Sequence, residues 1–167
     1  MAAKNMPEKT KGVPVDIGIG EAERREIAEG LARVVADTFT LYLMTHNFHW
    51  NVTGPLFPQL HALFEEQYTE LWKATDKLAE RVRALGFPVP ATLGQFTRLT
   101  SIPQKDEMPA AEEMIRLLAQ GHQAVIRTIR SVFAAPERSS DQATVDLLTE
   151  RLGSHEKAAW MLRSTLA

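Results

Sequence analysis

The sequence predicts an all-α protein, a four-helix bundle in which one connection is a long crossover. Apolar residues recur at three- and four-residue steps along four long stretches, which is the period of one helical face. No stretch alternates in the way a half-buried strand does. The 167 residues are 44% hydrophobic and 24% charged, a composition typical of a globular domain.

The first two helices follow an irregular N-terminal segment. Residues 1–20 combine prolines, glycines and lysines without helical periodicity, so we expect a flexible arm there and the helical domain over 21–167. The first helix runs from Glu21 to near Asn51. The second begins near Pro58, because proline suits a first helical turn, and ends before Gly86.

The second pair of helices follows a crossover of 22 residues, 87–108, which we expect to contain a short helix over Thr92–Arg98. The third helix is predicted over about 109–134, ending before Pro136. Ser139 and Gln142 have the spacing of a capping box for the fourth. A single long crossover is the topology of ferritin-like bundles.

Composition excludes several classes of function. Without cysteine there is no disulfide framework, thiolate zinc site, iron–sulfur cluster or thiol redox centre, so any metal site must use His, Asp and Glu. The net charge of -2 argues against a strongly basic nucleic-acid coat. No apolar run approaches the ~20 residues that span a bilayer, and no signal sequence is visible, so we expect a cytoplasmic protein.

One face of the second helix carries His61, Glu65, Asp76 and Glu80. At about 100° per residue these four lie within about 100° of one another, away from the apolar face. His61 and Asp76 are nevertheless about 22 Å apart along the axis, too far to share one ion. Two antiparallel copies related by a two-fold axis near Glu70 would place His61 opposite Glu80, and Glu65 opposite Asp76. Mixed imidazole and carboxylate ligands suit iron, manganese or zinc. Such residues also form ordinary solvated helix faces, so a helical scaffold without chemistry stays an alternative.

Three segments together resemble the Dps family, the miniferritins known as DNA-binding proteins from starved cells. They are residues 46–54 (HNFHWNVTG), His61 with Glu65, and Asp76 with Glu80 and Arg81. The five candidate ligands, His49 included, are separated by 12, 4, 11 and 4 residues, which matches that family's ferroxidase motif.

The resemblance implies a hollow dodecamer of four-helix subunits that oxidises Fe(II), with peroxide preferred over dioxygen, and stores the Fe(III) product as mineral. It implies that His49, His61 and Glu65 of one subunit bind iron together with Asp76 and Glu80 of its two-fold mate. The family most often has Asp where this chain has Glu65. Trp50 adjoins a ligand, and we expect it mainly to pack, with electron donation as a secondary role.

The resemblance also places acidic three-fold pores near the start of the fourth helix, where this chain has Asp141, Asp146 and Glu150. The alternative function is non-specific DNA binding and nucleoid compaction, with iron chemistry secondary. Its candidate contacts are Lys4, Lys9 and Lys11 of the arm, which twelve copies would present together. In that case the protein associates with the nucleoid.

Overall fold

The protein is all-helical over residues 14–166, which are the residues that the computed structural model describes. The six helices run in the order α1 (Glu21–Asn51), α2 (Phe57–Ala84), α3 (Leu93–Leu99), α4 (Ala111–Val132), α5 (Ala134–Arg138) and α6 (Gln142–Ser164). The four long helices form the predicted bundle: α1 packs along α2, α4 packs along α6, and α1 also contacts α4. None of the helices in this part of the chain is both long and apolar enough to cross a bilayer.

Helix α2 separates a core face from an outer face. Phe64, Leu71 and Leu78 are completely buried and contribute to a continuous apolar core with the other long helices. The helix starts one residue earlier than predicted, with Pro58 in its first turn where no backbone N–H is needed. It then runs without interruption for 28 residues.

The crossover contains the predicted short helix, α3, displaced by one residue. Thr92 caps it: the hydroxyl accepts from the backbone N–H of Gln95, and the Gln95 side chain accepts from the N–H of Thr92. This reciprocal pair is a capping box, which explains why so short a helix forms here.

A buried carboxylate holds the end of the crossover against the bundle. Asp37 of α1 is 0% exposed and accepts hydrogen bonds from the Thr100 hydroxyl, the Ser101 N–H and hydroxyl, and the Thr128 hydroxyl of α4. Four donors compensate for the desolvation of one buried charge. Asp37 therefore connects three parts of the chain that are distant in sequence.

The predicted cap of the last helix is wrong. Ser139 ends α5, and its hydroxyl donates to the carbonyl of Ala135 instead of capping α6. Asp141 is the N-cap, accepting from both the N–H and the hydroxyl of Thr144. Asp141 also pairs with Arg81 of α2 at 2.6 Å. The third predicted helix ends before Pro136 as expected, at Val132, and a separate short helix that was not predicted, α5, has Pro136 in its first turn, where proline is tolerated.

Two buried histidines meet between α4 and α6. Nδ1 of His122 lies 2.9 Å from Nδ1 of His155, and Arg151 donates to Nε2 of His155 at 3.2 Å. Burial, reinforced by the positive charge of Arg151, lowers the pKa of His122 to about 3. Burial, then the charges of His122 and Arg151, holds the pKa of His155 well below its ordinary value. Both rings are therefore neutral at physiological pH.

We predict that Asp37→Asn destabilises the crossover. The asparagine amide has an NH₂ group where the carboxylate has a second acceptor oxygen, and this group would face hydrogen-bond donors. The free energy of unfolding should therefore fall by about 2 kcal/mol. Hydrogen exchange should accelerate first over residues 93–102. Asp106→Asn, an exposed change in the same crossover, is the matched control and should leave both measurements unchanged. Equal effects of the two variants would contradict the anchoring role.

We also predict a loss of stability in mild acid. Below pH ~6.5 the unfolded chain protonates His122 and His155 while the folded chain does not, so folding becomes less favourable as the pH falls. Stability should be complete above pH ~7 and decline on the order of 1 kcal/mol per pH unit for each histidine between about pH 6 and 4. Denaturant unfolding at each pH measures this decline. His122→Gln should make it shallower, and an unchanged slope in that variant would refute the assignment.

Candidate metal centre

The end of α1 and the start of α2 bring His49 and His61 face to face. Residues 52–56 connect the two helices, so the last turn of α1 lies beside the first turns of α2. The imidazole rings stack with their centroids 3.8 Å apart and an interplanar angle of 19°. His49 is 8% exposed, and His61 is half-buried.

Each of these histidines is oriented by the backbone of the other. Nδ1–H of His49 donates to the carbonyl of His61, and Nδ1–H of His61 donates to the carbonyl of His49, both at 2.9 Å. A carbonyl oxygen only accepts, so each ring must carry its proton on Nδ1. In the neutral ring Nε2 then keeps its lone pair, the form in which imidazole binds a metal ion.

The three candidate carboxylates lie on the outer face of α2. Glu65 is one turn beyond His61, whereas Asp76 and Glu80 lie toward the other end of the helix, and all three are exposed. Because α2 is continuous, the distance of about 22 Å between His61 and Asp76 stands. Within residues 14–166, no group of three or more His, Asp or Glu side chains is close enough to hold a metal ion. The candidate ligands of one chain therefore fall into two separate groups, called here the histidine half-site (His49, His61 and Glu65) and the carboxylate half-site (Asp76 and Glu80).

Aromatic rings surround the histidine half-site. His46 stacks on Tyr68 with centroids 3.9 Å apart, and Trp50 lies 4.1 Å from His46 on another side. Nδ1 of His46 is 3.2 Å from the Tyr42 hydroxyl. Partial burial, reinforced by the neighbouring charge of His49, lowers the pKa of His46. His46 is therefore packed among rings. It takes no part in the reciprocal hydrogen bonds between the rings and backbone carbonyls of His49 and His61, which are called the clamp below.

Two tryptophans on this side of the molecule are exposed. Trp50 is 62% exposed in the single chain and packs against the His46 ring at the surface. Trp72, on the outer face of α2, is 58% exposed and touches Tyr42. This side of the molecule thus presents two exposed indole rings near the candidate ligands.

The candidate pore residues differ in their surroundings. Both carboxylate oxygens of Asp141 are occupied by Arg81 and Thr144, and these hydrogen bonds and the Arg81 charge outweigh the opposing effect of burial, lowering the pKa of Asp141. Asp146 is exposed, and Glu150 is exposed and pairs with Lys77 at 3.2 Å. Asp141 therefore has a structural role as a cap. Lys4, Lys9 and Lys11 lie outside the described residues.

A second polar cluster was not singled out from the sequence. His122, Arg151 and His155 lie within the bundle, where they contact one another and Glu70. The sequence pattern could have identified these three residues. Each lies on the apolar side of its helix, where a polar side chain is unexpected unless it has a buried partner.

Comparisons with known proteins agree with this fold. Residues 28–167 match the family model described as the ferritin-like domain. The chain is 37% identical over 152 residues to a low temperature-induced protein from Nostoc, covering 90% of this chain and 85% of that protein. It is 35% identical over 142 residues to DNA protection during starvation protein 2 from Bacillus anthracis, covering 85% and 97%. The crystal structure of a Dps protein from Bacillus brevis superposes with a TM-score of 0.83 at 35% identity, covering 87% and 98%.

These matches define the class of protein as ferritin-like, with the all-helical bundle that the sequence predicted. Within that class, the chain belongs to the Dps family of miniferritins, as the motif resemblance indicated.

We predict that the histidine half-site distinguishes His49 and His61 from His46. Replacing either clamped histidine with Gln removes a fixed Nε2 lone pair, so anaerobic Co(II) affinity should fall at least about tenfold. His46→Gln is the matched control and should change affinity by less than about threefold. Visible absorption of bound Co(II) measures both. A loss in His46→Gln as large as in His61→Gln would contradict the ligand assignment.

Proposed function

We propose that this protein is a ferroxidase and iron-storage protein whose iron sites lie between subunits of a hollow dodecamer. The observation that carries the proposal is the reciprocal clamp of His49 and His61, which fixes two adjacent imidazoles in the metal-binding tautomer. Family membership supports the iron chemistry, because the ligand spacing is that of the Dps ferroxidase motif.

A two-fold dimer completes each site. In an antiparallel mate, Glu80 lies opposite His61 of the first chain, and Asp76 lies opposite Glu65. The members of each pair are equally far from the middle of α2, on either side of it. The surface that would be covered supports this arrangement: Leu43, Trp72 and Leu93 are 44%, 58% and 70% exposed in the single chain. Exposed apolar groups of this size commonly mark an interface.

The site chemistry follows from the ligands. Neutral imidazoles and carboxylates bind Fe(II), and the carboxylates favour the higher charge of Fe(III). Two Fe(II) ions together supply two electrons to hydrogen peroxide, which takes up two protons, breaks its O–O bond and leaves as two waters. Paired oxidation avoids the one-electron reduction that releases hydroxyl radical. The Fe(III) product hydrolyses and is stored as mineral, which protects DNA from oxidative damage.

Two neighbouring features have supporting roles. Trp50, which is exposed and packs against His46 beside the proposed ligand His49, donates an electron when a site holds too few irons. Exposed Asp146 and Glu150 form an acidic entrance for iron at the three-fold axis, and Asp141 holds the start of α6 behind them.

We predict that inactive subunits complement each other. His61→Ala and Asp76→Ala should each slow peroxide-dependent Fe(II) oxidation at least about tenfold without loss of helix content. Dissociating the two, mixing them and reassembling them should restore part of the activity, because some dimers then contain one intact site. Trp50→Phe, which keeps all five proposed ligands, should retain the oxidation rate but form less oxidised tryptophan than the unaltered chain.

The mixed sample must also show the expected assembly. Sedimentation should give a particle of about 224 kDa, twelve copies of the 18.7 kDa chain. Two outcomes would contradict the intersubunit site: a mixed assembly as inactive as either parent, or a monomer that oxidises iron at the full rate.

DNA binding is the second candidate function. It is favoured by three lysines within the first eleven residues and by relatives named for DNA protection during starvation. Twelve arms on one shell would bind phosphates by avidity, although each arm alone is weakly basic.

We predict that deletion of residues 1–12 abolishes gel retardation of duplex DNA while iron oxidation continues. Retardation by the full-length shell should weaken steeply between about 50 and 200 mM salt, since released counterions supply most of the driving force. Substituting Lys4, Lys9 and Lys11 by Gln removes three positive charges without shortening the chain, and it should also abolish retardation. If the full-length shell does not retard DNA even at low salt, DNA binding is rejected and iron storage remains the proposed function.

A further inference from the structure

A cavity of about 160 Å³ lies between α2 and α6 and reaches the buried histidine pair of α4 and α6. Its base is formed by Gln67 and His122, and Glu66, Glu70, Ser154 and Lys157 line its sides. Gln67 is 7% exposed and His122 is 2% exposed. Both amide atoms of Gln67 and Nε2 of His122 are buried without a hydrogen-bond partner among the described residues. Unpaired polar atoms at the base of a cavity are costly unless a bound group satisfies them.

The hydrogen-bond chain behind the cavity decides what His122 offers. Arg151 has no acceptor atom, so it donates to Nε2 of His155, which must carry its proton on Nδ1. That proton is donated across 2.9 Å to Nδ1 of His122. Nε2 of His122 therefore carries a proton and points a donor at the cavity. This tautomer cannot ligate a metal ion through Nε2, so the cavity is chemically unlike the pair His49 and His61.

The charges around the cavity nearly balance, so its unpaired hydrogen-bonding groups decide what fits. Arg151 is 2% exposed, whereas the side chain of its partner Glu70 is 45% exposed and is screened by solvent. Glu70 nevertheless accepts from both terminal nitrogens of Arg151, so this pair adds little net charge at the base of the cavity. Among the lining residues, the carboxylates Glu66 and Glu70 oppose the cation Lys157, and Glu70 is already engaged by Arg151.

We propose that this cavity binds a small, partly protonated oxyanion, for which inorganic phosphate is the representative. Nε2–H of His122 and the amide of Gln67 donate to its oxygens, and Lys157 contributes its ammonium group at the mouth. The amide oxygen of Gln67 needs a donor, which the O–H of hydrogen phosphate supplies. Sulfate is fully deprotonated near neutral pH and has no such donor, so the site discriminates between two anions of similar shape.

The test uses the intact, iron-free assembly and titration calorimetry with inorganic phosphate and, separately, with sulfate. We expect one phosphate per subunit and at least about tenfold weaker binding of sulfate. Gln67→Leu, which keeps the side-chain size but removes both hydrogen-bonding atoms, should weaken phosphate binding at least about tenfold.

A second pair of variants keeps the test decisive if Gln67→Leu does not assemble. Lys157→Gln changes an exposed residue at the mouth and should weaken phosphate binding about threefold or more. Lys73→Gln, an exposed lysine of α2 outside the cavity, is the matched control and should have no effect. Equal binding of phosphate and sulfate, or equal effects of the two lysine variants, would show general attraction of anions and overturn the proposal. Binding that survives in Gln67→Leu would overturn it as well.

Discussion

The uninterrupted length of α2 is the constraint on which the site depends. A helix of 28 residues cannot bend to bring its two ends to one ion, so its two groups of candidate ligands remain about 22 Å apart. The same helix buries Phe64, Leu71 and Leu78 on its other side, which fixes the direction of the ligand face. Under the proposed function, a second chain is then a chemical requirement, because no conformational change within one bundle could replace it.

Buried polar residues set the positions of the segments around this helix. Arg81 reaches from α2 to the N-cap Asp141 of α6, and Asp37 holds the crossover against α1 and α4. Arg24, which is 5% exposed, donates to the carbonyl of Leu85 and so connects the start of α1 to the end of α2. Each of these contacts satisfies groups at helix ends or loops that the apolar core alone would leave unpaired.

The sequence predicts the long helices well because one face of each helix is buried in the core. That burial places apolar residues at the regular helical spacing that the sequence shows. The prediction fails at Ser139 because a serine at the end of one helix and an aspartate at the start of the next both fit a capping pattern. The reciprocal bonds of His49 and His61 could not be predicted, since they depend on the backbone positions of two helices. Spacing does predict which candidate ligands share a face of α2 and how far apart they lie, because the angle and the rise per residue are constant along a continuous helix. The cavity at Gln67 and His122 escaped notice because it requires three helices to meet, and sequence periodicity describes one helix at a time.

The most direct measurement of the central claim is a crystal structure of the assembled protein after anaerobic exposure to Fe(II), with the iron located by its anomalous scattering. The account predicts iron between His49, His61 and Glu65 of one subunit and Asp76 and Glu80 of the two-fold mate. Iron bound within a single bundle, or at the two-fold surface without the clamped histidines, would contradict it.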